Sequence, residues 1–165
     1  MSLSLSAAVL CGLILSGFGV VTSPDADASG PDSWKLWSAY KQHFISPDGR
    51  VVDRLHGEHT TSEGQAYGLF FSLVANDRRQ FALLLDWTEN NLAAGDLRRN
   101  LPAWMWGLQE DGAWGVLDEN AASDADLWLA YTLLEAGRLW CDQRYSQGAS
   151  DLLFSISNAE IADLP

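Results

Sequence analysis

Residues 123–140, S-D-A-D-L-W-L-A-Y-T-L-L-E-A-G-R-L-W, constrain the fold of this chain more than any other stretch. Ser123 is a helix-capping residue type, and Asp124 and Asp126 fall in a first turn, where the helix dipole favours anions. Ser123 with Asp126 also fits a capping pair. Leu127, Trp128, Leu129, Tyr131, Leu133 and Leu134 then leave the helix almost no polar side. A helix that is apolar nearly all round must be buried on every side. A small helical domain rarely makes that demand, whereas the inner ring of a double-layered helical barrel does.

A second helix start repeats the pattern with a single carboxylate. In Thr60 to Leu73, T-T-S-E-G-Q-A-Y-G-L-F-F-S-L, Thr60 and Glu63 fit a capping box, and the spacing predicts a helix running to about Asn76. Tyr67, Phe70, Phe71 and Val74 share one helical face with Glu63. A carboxylate at the head of an apolar stripe is costly to bury unpaired, so it either faces a wet cleft or serves the helix end. Both readings, general acid and simple cap, stay open on this stretch. A general acid must hold its proton near neutral pH, which a helix N-terminus opposes, so burial and a neighbouring carboxylate would have to act the other way.

The rest of the chain reads as further helices with little regular strand. Ser33 to Phe44 is amphipathic and is stopped by Ser46-Pro47-Asp48-Gly49. Arg50 to Asp53 reads as a short extended piece. Asp77 caps a helix over 78–92 with Phe81, Leu84, Leu85 and Thr88 on one side, and Gln143 to Ile161 is another helix. Leu101 to Asn120 reads as loops and short extended pieces, broken by Pro102, Gly107, Gly112 and Gly115. That region sets Trp114 among Asp111, Asp118, Glu119 and Asn120, either a solvated acidic turn or a site loop. All eight tryptophans lie between Trp34 and Trp140, a density that suits both core packing and stacking on flat sugar rings.

Ala7 to Val21 is an apolar run too short for a comfortable membrane span and suited to the core of a secretory signal, so residues 1–28 are expected to be an export segment. Export would place the protein in the periplasm or outside the cell. Removing that segment takes away Asp25 and Asp27 alone among charged residues, and leaves twice as many acidic as basic side chains. Such a surface is a poor match for nucleic-acid phosphates or anionic lipid, and is compatible with a neutral polymer. Cys141 would then be the sole cysteine, and it reads as a packed helix residue. His43, His56 and His59 share no ligand spacing, so no metal or other cofactor is expected.

The runs T-T-S-E-G-Q-A-Y-G-L-F-F-S-L-V-A-N-D-R, D-W-T-E-N-N-L, L-P-A-W-M-W-G and A-S-D-A-D-L-W-L-A-Y-T-L-L-E-A-G-R-L-W, in that order, closely resemble glycoside hydrolase family 8. The resemblance covers Trp34 to Pro165 and is strongest to the members encoded with bacterial cellulose synthase. It implies an all-α fold, the (α/α)6 barrel of six-hairpin glycosidases. It also implies inverting hydrolysis of internal β-1,4-glucan bonds, with a cellulose synthase secretion complex as a possible partner.

Glu63 then stands at the family's proton donor, and Asp124 at the carboxylate that helps bind and distort the sugar. Tyr67, Trp106, Trp114 and Asp126 are the substrate-binding candidates. The resemblance puts the general base in the second half of the barrel, beyond Pro165. Twelve helices need upward of about 300 residues, so residues 29–165 are expected to hold about the first five helices of a catalytic domain and to be inactive alone. Two other classes fit the same residues. One is a non-catalytic glucan-binding or assembly component of an exopolysaccharide secretion system; the other is a family 8 hydrolase acting on xylan, chitosan or mixed-linkage glucan.

Overall fold

The computed structural model describes residues 35–162, and the expected export segment lies outside them. In chain order the elements are α1 (Lys35–Phe44), β1 (Thr60–Thr61), α2 (Ser62–Val74), α3 (Arg78–Leu92), β2 (Met105–Leu108), β3 (Trp114–Asp118), α4 (Ser123–Trp140) and α5 (Gln143–Ala159). Two starts are capped by aspartates. Asp77 accepts a hydrogen bond from the Gln80 amide at the head of α3, and Asp142 accepts one from the Arg144 amide at the head of α5.

The starts of α2 and α4 differ from the expected capping. Thr61, not Thr60, caps α2, its hydroxyl accepting from the Gly64 amide at 3.1 Å. Thr60 is drawn into β1, where its buried hydroxyl donates to the Val51 carbonyl at 2.6 Å. The shift of one residue takes Glu63 out of the capping-box position. At α4 the cap residue is Ala122, with no side-chain hydrogen bond, and the Ser123–Asp126 pair does not form. Asp126 is turned into the core instead.

α2 and α4 lie side by side and run parallel. Tyr67 packs on Trp128 and Phe70 on Tyr131, so the contacts advance along both helices together, and near their far ends the Trp140 indole donates to Asn76 at 2.9 Å. α3 returns along α2, with Gln65 reaching Leu84 and Thr88. α5 returns along α4. At that crossing a Cβ on Gly137 would lie 2.1 Å from the Ser146 hydroxyl, so only glycine permits the approach. Two parallel helices, each backed by an antiparallel one, make a double layer.

The core lies between these layers. Leu69, Phe81, Leu84, Ala130 and Leu152 have no exposed surface, and Phe81 takes the edges of Trp140 at 4.9 Å and Tyr145 at 5.1 Å. Each large apolar side chain so buried is worth roughly 1.5–3 kcal/mol.

The short extended pieces expected within 101–120 are β2 and β3, which with β1 form an antiparallel sheet, with Thr60 opposite Trp106, Leu108 opposite Trp114 and a bulge at Met105/Trp106. Two expectations are corrected here. α4 is not buried on every side. Its core row is Asp126, Leu129, Ala130, Leu133 and Gly137, while Leu127, Tyr131 and Leu134 on the opposite row are 51%, 47% and 39% exposed. Cys141 is exposed rather than packed, because it forms the left-handed C-cap of α4 at φ 52°.

Candidate active site

The parallel packing of α2 and α4 brings their first turns to the same end of the layer. Glu63 is half-buried in the first turn of α2, and its nearest polar partner is the Ser62 hydroxyl, donating at 3.4 Å. With Thr61 serving as the cap, no helix-end duty holds this carboxylate. Asp124 is exposed in the first turn of α4. Below the two carboxylates the outer rows of both helices merge into an aromatic face. Tyr67 meets the Trp128 edge at 6.1 Å, Phe70 packs at 4.9 Å from Trp128, and Trp128 stacks on Tyr131 at 5.6 Å.

Glu63 is aimed by the residues behind it. Gln65, two positions on, points the other way and has no exposed surface. It accepts from the Val51 amide at 2.6 Å and donates to Gly49 O, Leu84 O and Thr88 Oγ1 at 3.2, 3.3 and 2.9 Å. One side chain thus ties α2 to α3 and to the loop before β1. Gly68 lets the same face settle, since a Cβ there would stand 3.0 Å from Val51. In S-E-G-Q-A-Y-G the glutamate faces out because the glutamine and the glycines face in.

Asp126 behaves differently from the substrate contact that was expected. It is wholly buried, and neither carboxyl oxygen meets a donor. Burial in the first place, then Glu160 at the end of α5, and then Asp124 and Glu63 push its carboxyl up to about 8, so it carries its proton at neutral pH. The spacing contains the reason. Residues two apart on a helix do not face the same way, so with Asp124 on the outer row Asp126 must lie on the core row.

Trp106 and Trp114 form a second cluster on the sheet. Their rings stack at 5.3 Å and 22°, Trp106 meets the Trp87 edge at 5.2 Å, and the Arg50 guanidinium lies 4.5 and 4.7 Å from the two ring centres. Arg50 is held in turn by Thr60 Oγ1, which accepts from its Nε at 2.7 Å, and by the Glu58 carbonyl. Trp114 is 46% exposed, and an open recess of about 370 Å³ runs past it, bordered by Ser46, Asp48 and Asn91. No ring contact joins this cluster to Tyr67 and Trp128 among the described residues. Asp118 on the same hairpin is held below the usual carboxylate range, first by a hydrogen bond from the Trp104 side chain and then by the Asn120 amide.

The residue pattern has a counterpart in known proteins. A model of glycosyl hydrolases family 8 matches residues 19–163. The chain belongs to glycoside hydrolase family 8. An endoglucanase of Escherichia coli O157:H7 is 52% identical to this family 8 chain over 134 residues, which is 81% of the chain and 36% of that protein. The solved endo-1,4-D-glucanase of Vibrio fischeri ES114 superposes with a TM-score of 0.78 at 52% identity, covering 79% of this chain and 38% of that one. A family 8 endoglucanase of Klebsiella pneumoniae superposes with a TM-score of 0.69 at 31% identity, over 76% and 39%. The family 8 chain therefore has part of an (α/α)6 barrel, and it spans little more than a third of the length of the relatives it matches.

Sequence reasoning did not single out three side chains that build this site. Gln65 stands inside the motif, and its inward direction could have been read from helical periodicity. Arg50 and Glu160 carry no local signal, because each acquires its partners only when distant elements pack.

Proposed function

We propose that this chain supplies the acid side of the active site of an endo-β-1,4-glucanase that cleaves internal bonds with inversion. The observation that carries this reading is that Glu63 and Asp124 head two adjacent parallel helices, above one continuous, partly exposed aromatic face. Glycoside cleavage passes through an oxocarbenium-like state, in which a protonated carboxyl meets the leaving oxygen while an ionised one acts on the sugar. Glu63 is assigned as proton donor. Asp124 is assigned as the carboxylate that favours the distorted ring. Tyr67 and Trp114 offer exposed rings to glucose units, with Trp106 supporting Trp114 from beneath. Asp126, without exposed surface, is not assigned a sugar contact.

An inverting mechanism also needs a base about 6.5–9.5 Å from the acid, with a water between them. We place that base in a part of the barrel outside these 165 residues, as the coverage of the relatives suggests. The apolar run at 7–21 supports export to the periplasm, and the likeness to endoglucanases supports a β-1,4-glucan substrate. Work alongside a cellulose-secreting complex fits both.

The test is a reducing-end assay on carboxymethylcellulose, run on this chain and on the longest continuous polypeptide that contains it. Turnover is expected in the longer product alone, and Glu63→Gln in that product should abolish turnover while leaving glucan binding within about twofold. Turnover by the 165-residue chain would place a base inside it and overturn the division. Substantial hydrolysis by Glu63→Gln would remove Glu63 from the acid role.

A further inference from the structure

One buried group has no part in the chemistry above. Asp126 opens the core row of α4, and Glu160 closes α5 at the same end of the antiparallel pair. Both oxygens of Asp126 and Oε2 of Glu160 are buried without a hydrogen-bond partner. A buried carboxylate with neither a donor nor a counter-charge is among the costliest groups a fold can hold. The charged groups acting on Asp126 are all acidic: Glu160 from α5, Asp124 from its own helix and Glu63 from α2. Among the described residues no cation acts on Asp126 to offset them. Two carboxylates cannot hydrogen-bond to each other, but a carboxylic acid and a carboxylate can, through the acid's proton.

We propose that Asp126 and Glu160 share one proton across the α4–α5 interface, and that this contact is a positioning element that sets the first turn of α4, and with it Asp124, against Glu63. No covalent bond changes. The proton stays on Asp126, which donates to Glu160. Burial and the acidic neighbours that raise the Asp126 carboxyl to about 8 favour the same arrangement. Because the folded-state carboxyl titrates above its unfolded value, the contact stabilises the fold fully at acid pH, and that stabilisation is lost as pH rises towards about 8. The positioning role rests on the assignment of Asp124 above; the shared proton does not.

The experiment is a carboxyl-carbon and amide NMR titration of the whole 165-residue chain, with urea unfolding midpoints measured between pH 5 and 9. The variants are Asp126→Asn, Glu160→Gln and the two combined. In the parent chain the Asp126 carboxyl should titrate several pH units above an ordinary aspartate, and the urea midpoint should fall across the same range with the slope of about one proton. Glu160→Gln should move the Asp126 titration down by a pH unit or more, and Asp126→Asn should flatten the urea slope. Amides at 62–64 should shift with the Asp126 titration in the parent and stay still in Asp126→Asn.

An Asp126 that titrates like an ordinary aspartate, or one that ignores Glu160→Gln, would overturn the shared proton. Movement confined to the α4 and α5 amides would overturn the positioning role. If Asp126→Asn fails to fold, the carboxyl titration of the parent and of Glu160→Gln still decides the matter. None of these readouts involves hydrolysis, so an absence of glucanase activity would count against the proposed function and leave this result standing.

Discussion

Gln65 shows how much a single residue can decide in this fold. Its amide meets four partners with no exposed surface, and these partners belong to α3 and to the loop that holds Val51 and Gly49 behind Glu63. Removing it leaves the Val51 amide and the Gly49 carbonyl buried without their partner, and each such orphan costs about 1–3 kcal/mol. Gln65→Ala should therefore lower stability by about 3 kcal/mol or more, read as a drop in the urea midpoint with little change in slope. A loss below about 1 kcal/mol would mean that water replaces the amide. Among the described residues Glu63, two residues away, makes only a long contact with Ser62, so Glu63→Gln should leave the unfolding free energy within about 0.5 kcal/mol. Function and stability are thus divided between the two faces of one helical turn.

Between elements, close approach is set where glycine stands in a contact. The α4–α5 crossing brings Ser146 against Gly137 so closely that a Cβ would overlap both the Ser146 hydroxyl and its backbone nitrogen, at 2.1 and 2.9 Å. Because one of those atoms is backbone, a rotamer change alone cannot relieve the overlap. Gly137→Ala should cost about 1–3 kcal/mol through separation of the helices. Gly148 on α5 is the control, since a Cβ there meets nothing within 4 Å. Gly148→Ala should stabilise by about 0.5–1 kcal/mol, because alanine is the better helix former and loses less freedom on folding. Thermal midpoints moving in opposite directions for the two variants would support this reading, and a shift of the same sign would remove packing as the cause.

Over the whole molecule, the row Leu127, Tyr131 and Leu134 on α4 and the row Tyr67 and Val74 on α2 make one exposed apolar face. A patch of that kind binds apolar dyes. The 165-residue chain should enhance anilinonaphthalene sulfonate fluorescence while fully folded, and Leu127→Lys with Tyr131→Lys should remove most of that signal at a stability cost under about 1 kcal/mol. An unchanged signal would place the dye elsewhere. Periodicity and capping residues determined, from the sequence alone, that α2 to α5 are helices, where they start to within a residue, and that Glu63 heads an aromatic stripe. These are local properties, set by hydrogen bonding within a turn and by side chains three and four positions apart. Only the tertiary structure decided that Thr60 leaves the cap for a strand, that Asp126 is buried on the core row of α4, and that Arg50 lies beside Trp106 and Trp114. Each of those outcomes depends on a partner far along the chain, and pairing across such a separation is fixed by which surfaces can close on each other, which no local pattern records.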